Sequence, residues 1–290
     1  MKNIKLLICT LAFFACSTQA QLENKPIHLF KPFANNATFK KIIVIVFENE
    51  NQASVINNAY FAELANRGAN FTNMNAETHP SQGNYIAMIS GDIFDVKNDT
   101  NVDLKQSNLV DLLESNHKTW KAYAEDYPGN CFTAAQSNKY VRKHVPFLSF
   151  TSISKNPTRC ANIVNEKSFF ADWKSGQLPD FSMYIPNLSN DGHNTSVNFS
   201  AKWLQTNFDS FLNDQNMMKD TLVVLTYDEN SGARPNKIYT VLLGSMVIPR
   251  SINNENHTHY SILKMIEDNW NLGSLNRNDA KAPAITGIWK

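Results

Sequence analysis

The sequence predicts an α/β protein, a three-layer sandwich around a largely parallel central sheet. Two apolar runs, Ile42-Ile43-Val44-Ile45-Val46-Phe47 and Thr221-Leu222-Val223-Val224-Leu225-Thr226-Tyr227, have the composition of strands covered on both faces. Around them, segments with helical apolar spacing alternate with shorter strand-like runs, the order that βαβ units produce.

Ahead of the first strand, residues 1–20 read as a secretory signal. Lys2 and Lys5 form a basic start, residues 4–15 an apolar run, and Thr18-Gln19-Ala20 a small-residue cleavage pattern. The product is expected to be secreted or periplasmic. Removing those two lysines takes 27 basic groups to 25 against 26 acidic ones, so the formal charge moves from +1 to −1. General nucleic-acid binding loses its electrostatic basis. Cys9 and Cys16 leave with the signal, so Cys131 and Cys160 remain. One disulfide is the expectation in an exported chain, with free thiols the alternative. No other run approaches the roughly 20 apolar residues of a membrane span. Residues 21–290 are read as a single catalytic domain.

After the first strand, residues 57–67 are expected as a helix with Tyr60, Phe61 and Leu64 on one side and Gly68 as its stop. Further helices are expected over 81–90 and 108–116, then a strand over 120–124. Residues 125–165 read as a loop-rich insertion bearing both cysteines; a disulfide would brace it, and with it Tyr123, Asp126 and His144, near the crevice mouth. A strand at 181–185, a helix at 199–212, strands at 221–227 and 238–243 and a closing helix at 260–270 complete the pattern.

In such sheets, function collects where loops converge at the carboxyl ends of strands. Both long apolar strands end in oxygen-bearing side chains, Glu48-Asn49 and Asp228-Glu229. Acids directly after a buried strand repel one another, and a hard divalent cation would resolve this; the plainer reading is the start of two solvated loops. In Thr78-His79-Pro80-Ser81-Gln82-Gly83-Asn84-Tyr85, Ser81 opens a helix, where exposed amides favour an anion beside its hydroxyl. Contact with a metal would make that hydroxyl a nucleophile, whereas a plain N-cap serine is the alternative. Asn84 either donates to a phosphoryl oxygen or decorates the first turn. His193 follows a strand end in Asn190-Asp191-Gly192-His193, His144 sits in the insertion, and His257 and His259 precede the last helix. Their approach to one end of the sheet suggests phosphate contact or proton transfer.

Phe47-Glu48-Asn49, His79 to Tyr85, Asn190 to His193, Tyr227-Asp228-Glu229 and His259-Tyr260-Ser261 occur in an order that resembles the phosphoesterase family of secreted acid phosphatases and bacterial phospholipases C. That family belongs to the alkaline-phosphatase-like superfamily, and the resemblance spans residues 41–272. It implies a divalent metal held by Glu48, Asn49, Asp228 and Glu229 and completed by Ser81 as nucleophile. It also implies that His193, with Asp191 beside it, contacts the phosphoryl group or the leaving oxygen. His144 matches a histidine facing the site and His259 the one before the final helix, while Gly83 stands where many members carry proline. The expected activity is hydrolysis of a small-molecule phosphate ester. An acid phosphatase is preferred over a phospholipase C-type phosphodiesterase because the chain ends soon after these motifs. A non-catalytic binding module is the remaining alternative, and a sulfatase lacks its Pro-x-Arg pattern after the nucleophile.

Overall fold

A computed structural model describes residues 38–290, so the expected signal at 1–20 lies outside the described residues. Eight strands form one sheet: β1 (Lys41–Phe47), β2 (Ala69–Phe71), β3 (Trp120–Ala124), β4 (Ile163–Val164), β5 (Phe181–Ile185), β6 (Thr221–Tyr227), β7 (Thr240–Leu243) and β8 (Ser251–Asn253). Their spatial order is β8-β2-β7-β6-β1-β5-β3-β4. The two β-branched runs lie side by side at its centre. They pair in parallel with Phe47 opposite Tyr227, and both are buried almost throughout.

Five of the seven strand pairings are parallel, and the other two are made by β7, which runs antiparallel to both β6 and β2. Residues 228–239 join β6 to β7 without a helix. A chain that returns without a crossover helix pairs antiparallel, which is why the fold is mostly rather than wholly parallel.

The helices that matter for the site are α1 (Gln52–Ile56), α2 (Ala59–Arg67), α3 (Ser81–Ser90), α4 (Leu109–Ser115), α5 (Glu166–Lys174), α6 (Val197–Leu212) and α7 (His259–Trp270). Helices α2, α3, α4, α6 and α7 fall within two residues of expectation, whereas α1 and α5 were not anticipated. All ten residues of α3 are buried, and it ends at Gly91 with φ 71°. A Cβ on Gly83 would stand 2.7 Å from Thr78 Cγ2 and 3.0 Å from Val96 O. Glycine at this position therefore lets the first turn of α3 pack closely.

The segment between β3 and β4 is the loop-rich insertion. It contains a small ribbon, two 3-10 turns (Arg142–His144 and Pro146–Ser149) and two short helices. Cys131 and Cys160 are joined, with Cα atoms 5.6 Å apart. The buried Arg142 guanidinium donates to the carbonyls of Thr133, Val102 and Leu148 and to Asp103 Oδ1, fixing the turn that carries Lys143 and His144. Tyr123 departs from expectation: it belongs to β3 and its hydroxyl donates to Asp172 Oδ2 at 2.7 Å, so it packs on α5 and does not line the crevice. No helix among the described residues is long and apolar enough to cross a membrane.

Candidate active site

Register places the site. Because Phe47 faces Tyr227, the next residues of β1 and β6 emerge together, and the Asp228 N–H donates to Phe47 O. On the other side of β1 the Glu48 N–H donates to Asp191 O, tying the loop after β5 to the same strand end. Helix α3 brings its first residue to this point. Ser81 is the first helical residue and not the N-cap, a position held by Pro80 with no side-chain cap bond.

The Ser81 hydroxyl lies 3.1 Å from Glu229 Oε1, 3.2 Å from Glu48 Oε2 and 3.5 Å from Asn49 Oδ1. Asn49 adopts φ 52°, a left-handed turn that asparagine tolerates. Its amide oxygen faces other oxygens: Glu229 Oε1 at 3.2 Å, Glu48 Oε2 at 3.2 Å and Asp228 Oδ1 at 3.3 Å. Buried Glu48 Oε1 and Asp228 Oδ2 have no hydrogen-bond partner. Such a convergence of acceptors calls for an inserted positive charge. Either a cation fills it or the Asn49 amide turns to donate. The oxygen-rich donor set fits a hard divalent ion. Among the described residues no three His, Cys, Asp or Glu side chains alone form a group that could hold a metal. A cation placed here would draw on the neutral oxygens of Asn49 and Ser81 as well as on the carboxylates.

The electrostatics follow from burial. Burial, then the Asp191 charge, pushes the Glu48 carboxyl up to about 8. Burial likewise raises Asp191 to about 8, against the N–H donated by His193. Asp228 is held well above the usual carboxylate range by burial, then by Glu48 and Glu229. Glu229 is raised by burial, with His79 opposing.

The histidines divide into distinct roles. His144 is buried, with Nε2 3.1 Å from Glu48 Oε1 and Nδ1 3.7 Å from Asp191 Oδ2, and its ring stacks on Tyr85 at 4.9 Å. Burial, then Lys143 and His193, holds its pKa well below the ordinary value. His193 is exposed beside Asp191, with Nδ1 2.8 Å from Asn194 Oδ1. His259 is fully buried and meets the site only through the backbone, its Nε2 lying 2.8 Å from Asp228 O; burial pushes it down to about 4. It therefore orients the strand end and does not reach the cleft. Asn84 is also redirected. Its Oδ1 accepts from the Glu77 and Thr78 N–H groups and its Nδ2 donates to Thr78 O, so it shapes the approach to Ser81 from beneath.

Two residues were not singled out from sequence. His79 Nδ1 contacts Glu229 Oε2. The Tyr85 hydroxyl is buried without a hydrogen-bond partner, and burial followed by the Glu48, Asp228 and Asp191 charges raises its pKa far up. Tyr85 stands four residues after Ser81, one turn along the same face of α3, and that spacing was a readable signal.

A central parallel sheet with acids at adjacent strand ends and a serine opening a buried helix defines an alkaline-phosphatase-like α/β protein. An alkaline phosphatase superfamily protein from Vibrio parahaemolyticus shares that fold, with TM-score 0.57 and 15% identity over 86% of this chain and 72% of its own. Residues 54–273 match the Phosphoesterase family, and the chain belongs to it. A probable acid phosphatase from Kluyveromyces lactis is 36% identical over 86% of this chain, and the match spans 62% of that protein's length. A phosphatidylinositol-3-phosphatase from Mycobacterium tuberculosis is 34% identical over 87% of this chain and 83% of its own.

Proposed function

We propose that the protein is an exported, metal-dependent phosphomonoesterase of the acid phosphatase type, with Ser81 as nucleophile. The observation that carries this reading is the Ser81 hydroxyl, which sits at the start of α3 within 3.5 Å of oxygens from Glu48, Asn49 and Glu229. The family and the acid phosphatase relatives add support.

A divalent cation bound by Glu48, Asn49, Asp228, Glu229 and Ser81 would supply charge neutralisation and Lewis-acid polarisation. The chain's own groups do the rest. Ser81 Oγ releases its proton to solvent and forms a bond to phosphorus as the ester P–O bond breaks. The N-terminal amides of α3 face the developing charge on the phosphoryl oxygens. His193, exposed beside Asp191, protonates the departing oxygen. Water then cleaves the phosphoserine and releases phosphate. Ser81→Ala is expected to lower p-nitrophenyl phosphate hydrolysis by about 10³-fold or more. Full activity in that variant would overturn the assignment.

A further inference from the structure

Asp99 has two partners that belong to different parts of the site. Its Oδ1 accepts the backbone N–H of Gln82 at 3.1 Å, the amide next in the chain to Ser81. Its Oδ2 accepts from Lys143 Nζ at 2.7 Å. One carboxylate thus lies where a free amide of a helix start and an ammonium converge, one residue from the candidate nucleophile. Because Pro80 offers no side-chain cap, part of this arrangement is helix capping by a distant residue. Capping does not account for Lys143. Its side chain is only 17% exposed, an expensive setting for an ammonium whose direct ionic partner could be solvated instead.

Lys143 shares its turn with His144, whose Nε2 lies 3.1 Å from Glu48 Oε1, so its charge stands near the acids of the cleft and bears on Glu48, Asp191 and His144. Burial alone would lower its pKa, but Asp99, Glu48 and Asp228 more than offset this, and it stays protonated. Asp99 is the movable member of the pair, since its side chain is 32% exposed and can turn to water. The loop would stay tethered as it did so, because Gln82 Nε2 donates to Thr100 O at 2.8 Å.

We propose that Lys143 is a specificity residue that binds the phosphoryl group of a monoester, and that Asp99 occupies this anion position until substrate displaces it. This deepens the phosphatase reading and rests on it. A phosphate monoester has three non-bridging oxygens and a charge between about −1.5 and −2 near neutral pH. A diester has two such oxygens and one negative charge, so it gains less from an ammonium at this position. Glu48, Asp191, Asp228 and Glu229 are buried around the cleft, and beside the cation proposed above a dianion gains more than a monoanion from a second, fixed positive partner.

The test compares Lys143→Met, Lys143→Arg and Asp99→Asn with the parent chain, using p-nitrophenyl phosphate, bis(p-nitrophenyl) phosphate and inorganic phosphate. Loss of one charge-assisted contact predicts that Lys143→Met lowers kcat/KM for the monoester by about 10- to 100-fold. The diester rate should change less than about 3-fold, and phosphate affinity measured by calorimetry should fall with the monoester rate. Lys143→Arg should restore most of that affinity, and Asp99→Asn should tighten phosphate binding by removing the competing anion. Equal losses on both esters, unchanged phosphate affinity in Lys143→Met, or unchanged affinity in Asp99→Asn would each overturn the proposal. If the parent chain hydrolyses neither ester, the phosphatase reading falls, while the phosphate affinities still decide the role of Lys143.

Discussion

Glu48 and Glu125 occupy the same kind of position, each the first residue after a strand of the parallel sheet, and both are buried. Their surroundings differ. Glu125 Oε1 accepts from the Tyr184 hydroxyl at 3.0 Å and Trp203 Nε1 at 3.1 Å, and its Oε2 from the Asn187 N–H at 3.0 Å and Asn190 Nδ2 at 2.6 Å. Glu48 Oε2 accepts from Ser81, but its Oε1 has no hydrogen-bond partner and faces a histidine held neutral. Burial does not separate the two; the supply of donors does. An acid given four donors is finished as a structural joint, whereas an acid left short of donors among other acids is prepared for something that arrives later.

The largest expected effect tests the starved side of that contrast. Asp228→Asn removes a charge from the cluster while keeping the side chain's shape and its acceptor for the Asn49 N–H. Ester hydrolysis should fall by about 10²- to 10³-fold. Chelator-treated protein should become more stable by about 1 kcal/mol or more, because repulsion with Glu48 and Glu229 is relieved. Elemental analysis should show less bound metal. A variant that loses both activity and stability would show that Asp228 is a structural joint after all.

The satisfied side predicts the opposite balance. Glu125→Ala strands the donors of Tyr184, Trp203, Asn187 and Asn190, and urea unfolding should report a loss of about 2–4 kcal/mol. Activity in the surviving folded fraction should drop less than in Asp228→Asn, since Glu125 acts only through the loop that carries Asp191 and His193. Unchanged stability would break the comparison.

The sequence made legible what local chemistry determines. The long β-branched runs, the acids that stop them and Ser81 at a helix start each carry their signal within a few residues. Strands β2, β4 and β8 have only two or three residues each; β2 and β4 exist because a longer neighbour offers a pairing edge, and β8 because β2 then offers its own. Helix α5 was readable, since Phe169, Phe170 and Trp173 have helical spacing before Gly176. The direction of β7 was not, because composition does not encode strand polarity. In the site, His79, Tyr85 and Lys143 matter through partners far away in sequence, and Asn84 and His259 turn from the cleft because backbone groups claim their polar atoms, those of the preceding turn for Asn84 and the distant Asp228 carbonyl for His259.

Glu267 supplies an intermediate case and the smallest expected effect. It is 1% exposed on α7, and its Oε1 has no hydrogen-bond partner, yet it lies in no cleft. Burial, then the Asp279 charge, raises its carboxyl from 4.5 to about 8, with Lys264 opposing and Asp268 adding to the rise. A folded-state pKa above the unfolded one means that the folded chain holds the proton more tightly. The associated stability is present in full below about pH 4.5 and is lost as pH rises through about 8. Melting temperature should therefore decline across that window, and Glu267→Gln, which carries no titrating proton, should decline by less, a difference of about 1 kcal/mol or more at the alkaline end. Thermal melts of both chains at several pH values between those limits measure it. Parallel declines would mean that Glu267 is already ionised when folded, and that an orphaned buried oxygen outside the cleft does not by itself mark a protonated acid.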